Sequence, residues 1–224
     1  MTWGWKFFFK LLFVLLILTM TQVLILRFVN PPFTAIIALN WLRDKVNKNH
    51  YEIPHYYWRQ LKEISPNLRK AVMAGEDQRF LSHHGFDFIE IDHAVRDILK
   101  KRRIRGASTI TMQTARTVFL WPGRSWLRKM LEVYYTVLIE IFWSKDRIFE
   151  IYLNTVDWGN GIMGAEAASK KYFHVHSDYI SIYQGALLAA ILPSPHRWSP
   201  NNPNQIVRAR QKRIMNDMKK MPLL

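Results

Sequence analysis

The feature that most limits what this chain can fold into lies near its start, where Phe7 to Leu26 is apolar or weakly polar throughout except for Lys10. About 20 residues cross a bilayer as a helix, so the run predicts one spanning helix within residues 1–30. Lys10 sits near one end, where its stem can reach the headgroups, and Trp3 and Trp5 are placed as interface anchors. The topology signal is divided: Lys6, Lys10 and the amino terminus favour a cytoplasmic start, while Arg27 follows the run. A cleaved signal peptide is the alternative, although no small-x-small site precedes Asn30-Pro31-Pro32. Phe33 to Leu42 is apolar again and lies either against the membrane or under the domain. We take 31–49 as a juxtamembrane segment and 50–224 as one domain, since no repeat or low-complexity linker interrupts it.

Within that domain the helix signals follow one another closely. Ser65-Pro66 starts a helix expected to reach about Phe80. Asp87 with Glu90 resembles a capping box and opens a helix toward Arg103, and Ser144 caps another through Asn154. Leu127 to Trp143 is apolar almost all round, the pattern of a helix through the middle of a core. Strand alternation is scarce, so the fold class is mostly α. With no cysteine, Cys-ligated zinc, a Cys nucleophile and a disulfide framework are excluded.

The net charge of +15 requires an anionic partner: a nucleic acid, a lipid headgroup or a pyrophosphate. Its source is concentrated. From Ile98 to Leu131 there is no acidic residue, while Lys100, Lys101, Arg102, Arg103, Arg105, Arg116, Arg124, Arg128 and Lys129 supply nine cations. The small, hydroxyl-rich segment Gly106 to Gln113 lies inside this stretch and suits close approach by a polar ligand. Leu68, Val72, Glu76 and Phe80 share one helical stripe, which puts a carboxylate among apolar residues. Desolvation there poises it for proton transfer, unless it is a buried Glu paired with a cation. Asp77 and His83 can each simply hold the turn at His84-Gly85, and Glu132 beside Arg128 and Lys129 fits a structural ion pair. No His or carboxylate cluster has metal-ligand spacing. His83-His84 and His174-Val175-His176 fit surface or cap roles.

Five segments in register resemble the peptidoglycan glycosyltransferases. Glu76 to Gly85 looks like their first signature and Gly106 to Gln113 like the second; Arg128 to Glu132 is similar to the third and Lys145 to Asn154 to the fourth. The Gly-rich stretch Gly159 to Phe173 follows as the fifth, and together with Leu188 to Pro200 the segments cover nearly all of residues 50–200 in order. With its end at Leu224 and with Phe119-Leu120-Trp121 and Gly123 to Trp126, the chain resembles the monofunctional branch, the biosynthetic peptidoglycan transglycosylases. Met112, Arg116 and Thr117 depart from the usual Gln, Lys and Asn.

The resemblance implies a lysozyme-like domain on the outer, periplasmic face of the bacterial cytoplasmic (inner) membrane, held by a single-pass helix. It implies polymerisation of lipid II into glycan strands with inversion, undecaprenyl pyrophosphate leaving. Glu76 is then the general base and Glu132 the second catalytic carboxylate. Asp77, Ser108, Thr109, Gln113, Arg116, Arg124, Arg128 and Lys129 are the substrate-binding residues, the cations neutralising the pyrophosphate. No cofactor is required, and a divalent cation, Mg or Mn, bridging the pyrophosphate stays open. The partners implied are lipid II, the growing strand, membrane lipid and other cell-wall synthesis or division proteins, with no nucleic acid. No signature precedes Glu76, so the spanning helix is expected to concentrate the enzyme on its substrate surface rather than build the site, and a chain without residues 1–30 is expected to stay folded and soluble. A lysozyme-like hydrolase and a membrane-anchored nucleic-acid-binding module are the alternatives; neither needs both the lipid tether and the placed carboxylate.

Overall fold

The computed structural model describes residues 2–35, 37–39, 41–42, 55–100, 106–123, 125–159 and 161–224. The side chain of Trp3, the cations Lys101, Arg102, Arg103, Arg105 and Arg124, and the expected boundary at 49/50 lie outside the described residues.

Helix α1 spans Thr2–Phe28, and within it Gly4–Phe28 is apolar enough to cross a membrane, with a mean hydropathy of 2.4. At about 1.5 Å per residue this segment exceeds the roughly 30 Å of a bilayer's hydrocarbon. Its last turns are not free. Val23 is fully buried, and its carbonyl accepts the indole N–H of Trp143 at 2.8 Å. Thr19 and the Tyr134 hydroxyl are hydrogen-bonded at 2.7 Å. Arg147 donates to the carbonyls of Leu26 and Val29 and to Asn30 Oδ1, supplying donors that the end of a helix lacks. The end of α1 is therefore part of the domain core, contrary to the expectation that the helix only concentrates the enzyme.

The core is built around α8 (Ile182–Ile191), which is buried throughout from Gly185 to Ile191 and packs on α2 (Pro66–Glu76) and α9 (Gln205–Asp217). Gly185 permits this packing, because a Cβ there would lie 3.1 Å from the Asn67 carbonyl oxygen. Ser65 caps α2, accepting from Asn67 N, with Pro66 in the first turn. The helix ends at Glu76, not Phe80: the Asp77 carboxylate takes the Ile110 N–H and His83 Nε2, which turns the chain out of the helix. Phe80 still reaches the core, 5.6 Å from the Phe149 ring.

Helix α3 (Phe88–Leu99) is capped by Asp87, which accepts from Glu90 N, and ends before the basic run. Helices α4 (Ile110–Phe119), α5 (Trp126–Phe142) and α6 (Lys145–Thr155) pack together, capped by Thr109, Ser125 and Ser144. The expected central role of α5 is not observed. Glu132, Tyr135, Thr136 and Ile139 face inward, while Trp126 at 87%, Leu127, Met130, Val133, Val137 and Ile141 are exposed on the other face. A helix with one apolar face in the core and another outside it has the same composition as a fully buried one. Helix α3 likewise exposes Phe88, Ile89, Val95, Ile98 and Leu99.

A small sheet of order β1-β3-β2 joins the N-terminal segment to the domain, with β1 (His55–Tyr56) parallel and β2 (Asp157–Gly159) antiparallel to β3 (Ile162–Met163). Asn154 reinforces it by bonding both the N–H and the carbonyl of Arg59 at 2.8 Å. Helix α7 (Ala165–Phe173) follows, and His174 ends it in the left-handed conformation, the cap role expected of it. His176 packs beside α7 on the buried carboxylate of Glu166, at 2.7 Å.

Candidate active site

Glu76 closes α2 with its side chain only 12% exposed. Gln113 Nε2, one turn into α4, donates to Oε2 at 3.0 Å. Arg210 Nη2, from α9, donates to Oε1 at 3.0 Å and to the Gly75 carbonyl at 2.9 Å. Burial pushes the carboxyl above its usual range, and Gln113 and Arg210 oppose that shift without cancelling it. The stripe of the sequence thus holds both of its readings at once, a desolvated carboxylate and a buried Glu paired with a cation.

Sequence reasoning missed Arg210. It sits 134 positions from Glu76, but it shares a face with the buried Val207, Gln211 and Ile214, the same charged-residue-on-a-core-stripe signal that marked Glu76.

A second cluster stands on α5. Glu132 is 1% exposed, and its two oxygens accept from Arg128 Nη1 at 3.0 Å and Lys129 Nζ at 2.5 Å. A buried carboxylate with two cations on the preceding turn fixes both heads and leaves a net positive charge. Arg128 keeps its Nε buried without a hydrogen bond, so its guanidinium is not saturated. Arg116, half-buried on α4, has no carboxylate or carbonyl partner among the described residues.

The remaining candidates divide. Thr109 is 2% exposed; its hydroxyl donates to the Gly85 carbonyl at 2.6 Å and accepts from Met112 N. Asp77 is spent on His83 and Ile110 N. Both side chains therefore pin the start of α4 to the 77–85 turn, which sets Gln113 opposite Glu76. The turn lies tight on α5: Gly85 has φ +85, and a Cβ there would meet Thr136 Cγ2 at 2.8 Å. Ser108 is half-buried with no hydrogen-bond partner among the described residues. Of the departures noted in the sequence, Met112 is buried and Thr117 bonds back to the Gln113 carbonyl.

A family model described as Transglycosylase matches residues 45–219. The chain belongs to the transglycosylase family. Relatives named biosynthetic peptidoglycan transglycosylase include one from Bdellovibrio bacteriovorus, 43% identical over 94% of this chain and 84% of its own length. Others come from Pseudomonas entomophila, 45% identical over 89% and 84%, and Bacteroides thetaiotaomicron, 44% over 91% and 82%. The lysozyme-like, mostly helical class expected for such a transglycosylase holds.

In this transglycosylase Asp77, His83 and Asp87 bring three ligand atoms within 4.8 Å of one another, a cluster the spacing in the sequence did not reveal. Each of its carboxylates already accepts hydrogen bonds from the protein. Asp87 is occupied by the guanidinium of Arg79 and by Glu90 N, and Asp77 by His83 and Ile110 N, so the cluster is a hydrogen-bonded pin for the turn.

Proposed function

We propose that this transglycosylase polymerises lipid II into linear peptidoglycan strands, with Glu76 as general base. The observation that carries the reading is the carboxylate of Glu76: desolvated, held at both oxygens by Gln113 and Arg210, and pushed above the usual carboxyl range by burial. Glu76 takes the proton from the 4-hydroxyl of the acceptor sugar. The hydroxyl oxygen forms a bond to the anomeric carbon of the donor chain as the carbon–oxygen bond to pyrophosphate breaks. That electron pair stays on the undecaprenyl pyrophosphate, and the anomeric configuration inverts.

The leaving group carries its charge on phosphate, and Arg116, Arg124, Arg128 and Lys129 neutralise it, with Glu132 holding Arg128 and Lys129 in place. Ser108 and Gln113 line the sugar cleft, while Asp77 and Thr109 support it from behind. The spanning helix holds the domain, residues 50–224 with the last turns of α1, on the outer face of the bacterial cytoplasmic membrane. The exposed apolar faces of α3 and α5 support a site that works against lipid. Other cell-wall synthesis proteins are its expected partners.

Purified full-length enzyme incubated with lipid II in vesicles, with the products sized, tests the reading. Polymer supports it. Unchanged lipid II contradicts it, and shortened glycan when preformed strands are offered instead points to a hydrolase.

A further inference from the structure

The amide that holds Glu76 is itself held. Gln113 Nε2 donates to Glu76 Oε2, and Gln113 Oε1 accepts from the Tyr152 hydroxyl at 3.3 Å. Tyr152, on α6, is 2% exposed and stacked on Phe149, and its O–H has no other acceptor among the described residues. A carboxamide has two faces, an NH2 that only donates and a carbonyl that only accepts. An ionised carboxylate needs the NH2 face; a neutral carboxyl can turn its own proton to the carbonyl face. Reversing the amide leaves the buried Tyr152 proton without an acceptor, and a buried donor without an acceptor is costly. The phenol cannot escape by ionising, because burial pushes it well above its usual range.

We propose that Tyr152 is a positioning residue: by donating to Gln113 Oε1 it locks the amide with its NH2 toward Glu76 and so holds Glu76 as the ionised proton acceptor. Its effect on turnover rests on Glu76 being the base; the lock itself does not. The other groups facing Glu76 are Arg210, with Arg213 behind it, from α9, and Asp77 next in the chain. The charge of Arg116 on α4 acts on Tyr152, and Asp217 at the end of α9 reaches Gln78. Helix α8, packed along α2, brings no charged side chain. All of these stay in place when only the phenol oxygen is removed.

Tyr152→Phe in the full-length enzyme should move the acid limb of the kcat/KM profile upward by about half a pH unit, the scale of one weak hydrogen bond. On that limb the rate falls about threefold, and it recovers on the alkaline side. Fluorotyrosine at 152, a stronger donor, should move the limb the other way. In a Gln113→Leu background Tyr152→Phe should add no shift. Side-chain carboxyl NMR of Glu76 reads the same displacement without turnover. If Glu76→Gln retains full turnover while the Glu76 carboxyl still titrates higher in Tyr152→Phe, the base assignment fails and the lock stands. An unmoved carboxyl titration in both Tyr152 variants overturns the proposal, and so does an equal shift in the Gln113→Leu background.

Discussion

Removing the cation beside the base tests the electrostatics of the site through Arg210→Met, which keeps much of the side-chain length and discards the charge. The guanidinium lies 3.0 Å from Glu76 Oε1, with the two side chains 19% and 12% exposed, so water screens the pair poorly. At an effective dielectric of about 20, unit charges about 4 Å apart interact by about 4 kcal/mol, and carboxylates beside an arginine have their pKa lowered by about 1–3 units. That opposition is now lost while the desolvation remains, so the Glu76 carboxyl moves further up. A base works only when ionised, which puts the loss on the acid side. The acid limb of kcat/KM for polymerisation of fluorescent lipid II should rise by about 1–3 pH units. At a pH on that limb the rate falls about ten- to a thousandfold, and it returns as the pH is raised. Arg210→Lys should restore part of the shift, since it keeps the charge without the fork that also reaches the Gly75 carbonyl. An unmoved limb, or an equal loss at every pH, would show that Arg210 does not set the titration of Glu76; the second result would put Arg210 on the substrate instead.

Arg128→Ala should lower polymerisation about ten- to a hundredfold, the worth of one charge-assisted contact, with Lys171→Ala as the harmless comparison. Arg147, although also a cation of a later helix, is not a fair comparison, because it holds the end of α1. Deleting residues 2–30 should cost at least about 2 kcal/mol of stability in detergent, since it strips the acceptors from Trp143 and Arg147, whereas deleting 2–17 should cost little. Equal denaturation midpoints for the two truncations would contradict the docked helix. Glu166, fully buried among Arg59, Lys170, His176 and the Ser177 N–H, has its carboxyl held well below the usual 4.5. A depressed folded-state pKa stabilises above the unfolded value and is lost as the pH falls below it. Glu166→Gln should therefore cost about 1–3 kcal/mol near neutral pH, since the cations left behind are partly exposed to water, the gap to wild type closing below about pH 4.5 in denaturation curves.

What the sequence made legible was local. Ser65-Pro66, Asp87 and Ser144 announced helix starts through short-range capping chemistry, and each cap is found where it was read. The apolar run gave α1, and the lone carboxylate on a core stripe gave Glu76. What stayed hidden depends on contacts between distant segments. The stop at Glu76 comes from Asp77 reaching Ile110, and the pairing of Glu76 with Arg210 needs α9 to fold back on α2. Composition alone could not tell α5, with its outward apolar face, from α8, which is buried on all sides from Gly185 onward. Asp77 and Thr109 carried the right residue types for substrate contact, but their polar atoms are used within the protein.

The most direct test of the central claim is the rate at which Glu76→Gln turns over lipid II, measured beside its binding of the same substrate. The amide keeps the shape and the contact with Arg210 but cannot take a proton. Loss of a general base costs about 10²–10⁴-fold in rate. A fall of that size is expected in glycan polymer formed per enzyme, with lipid II binding nearly unchanged and no recovery at alkaline pH. Turnover like that of the wild type, at any pH, would contradict it.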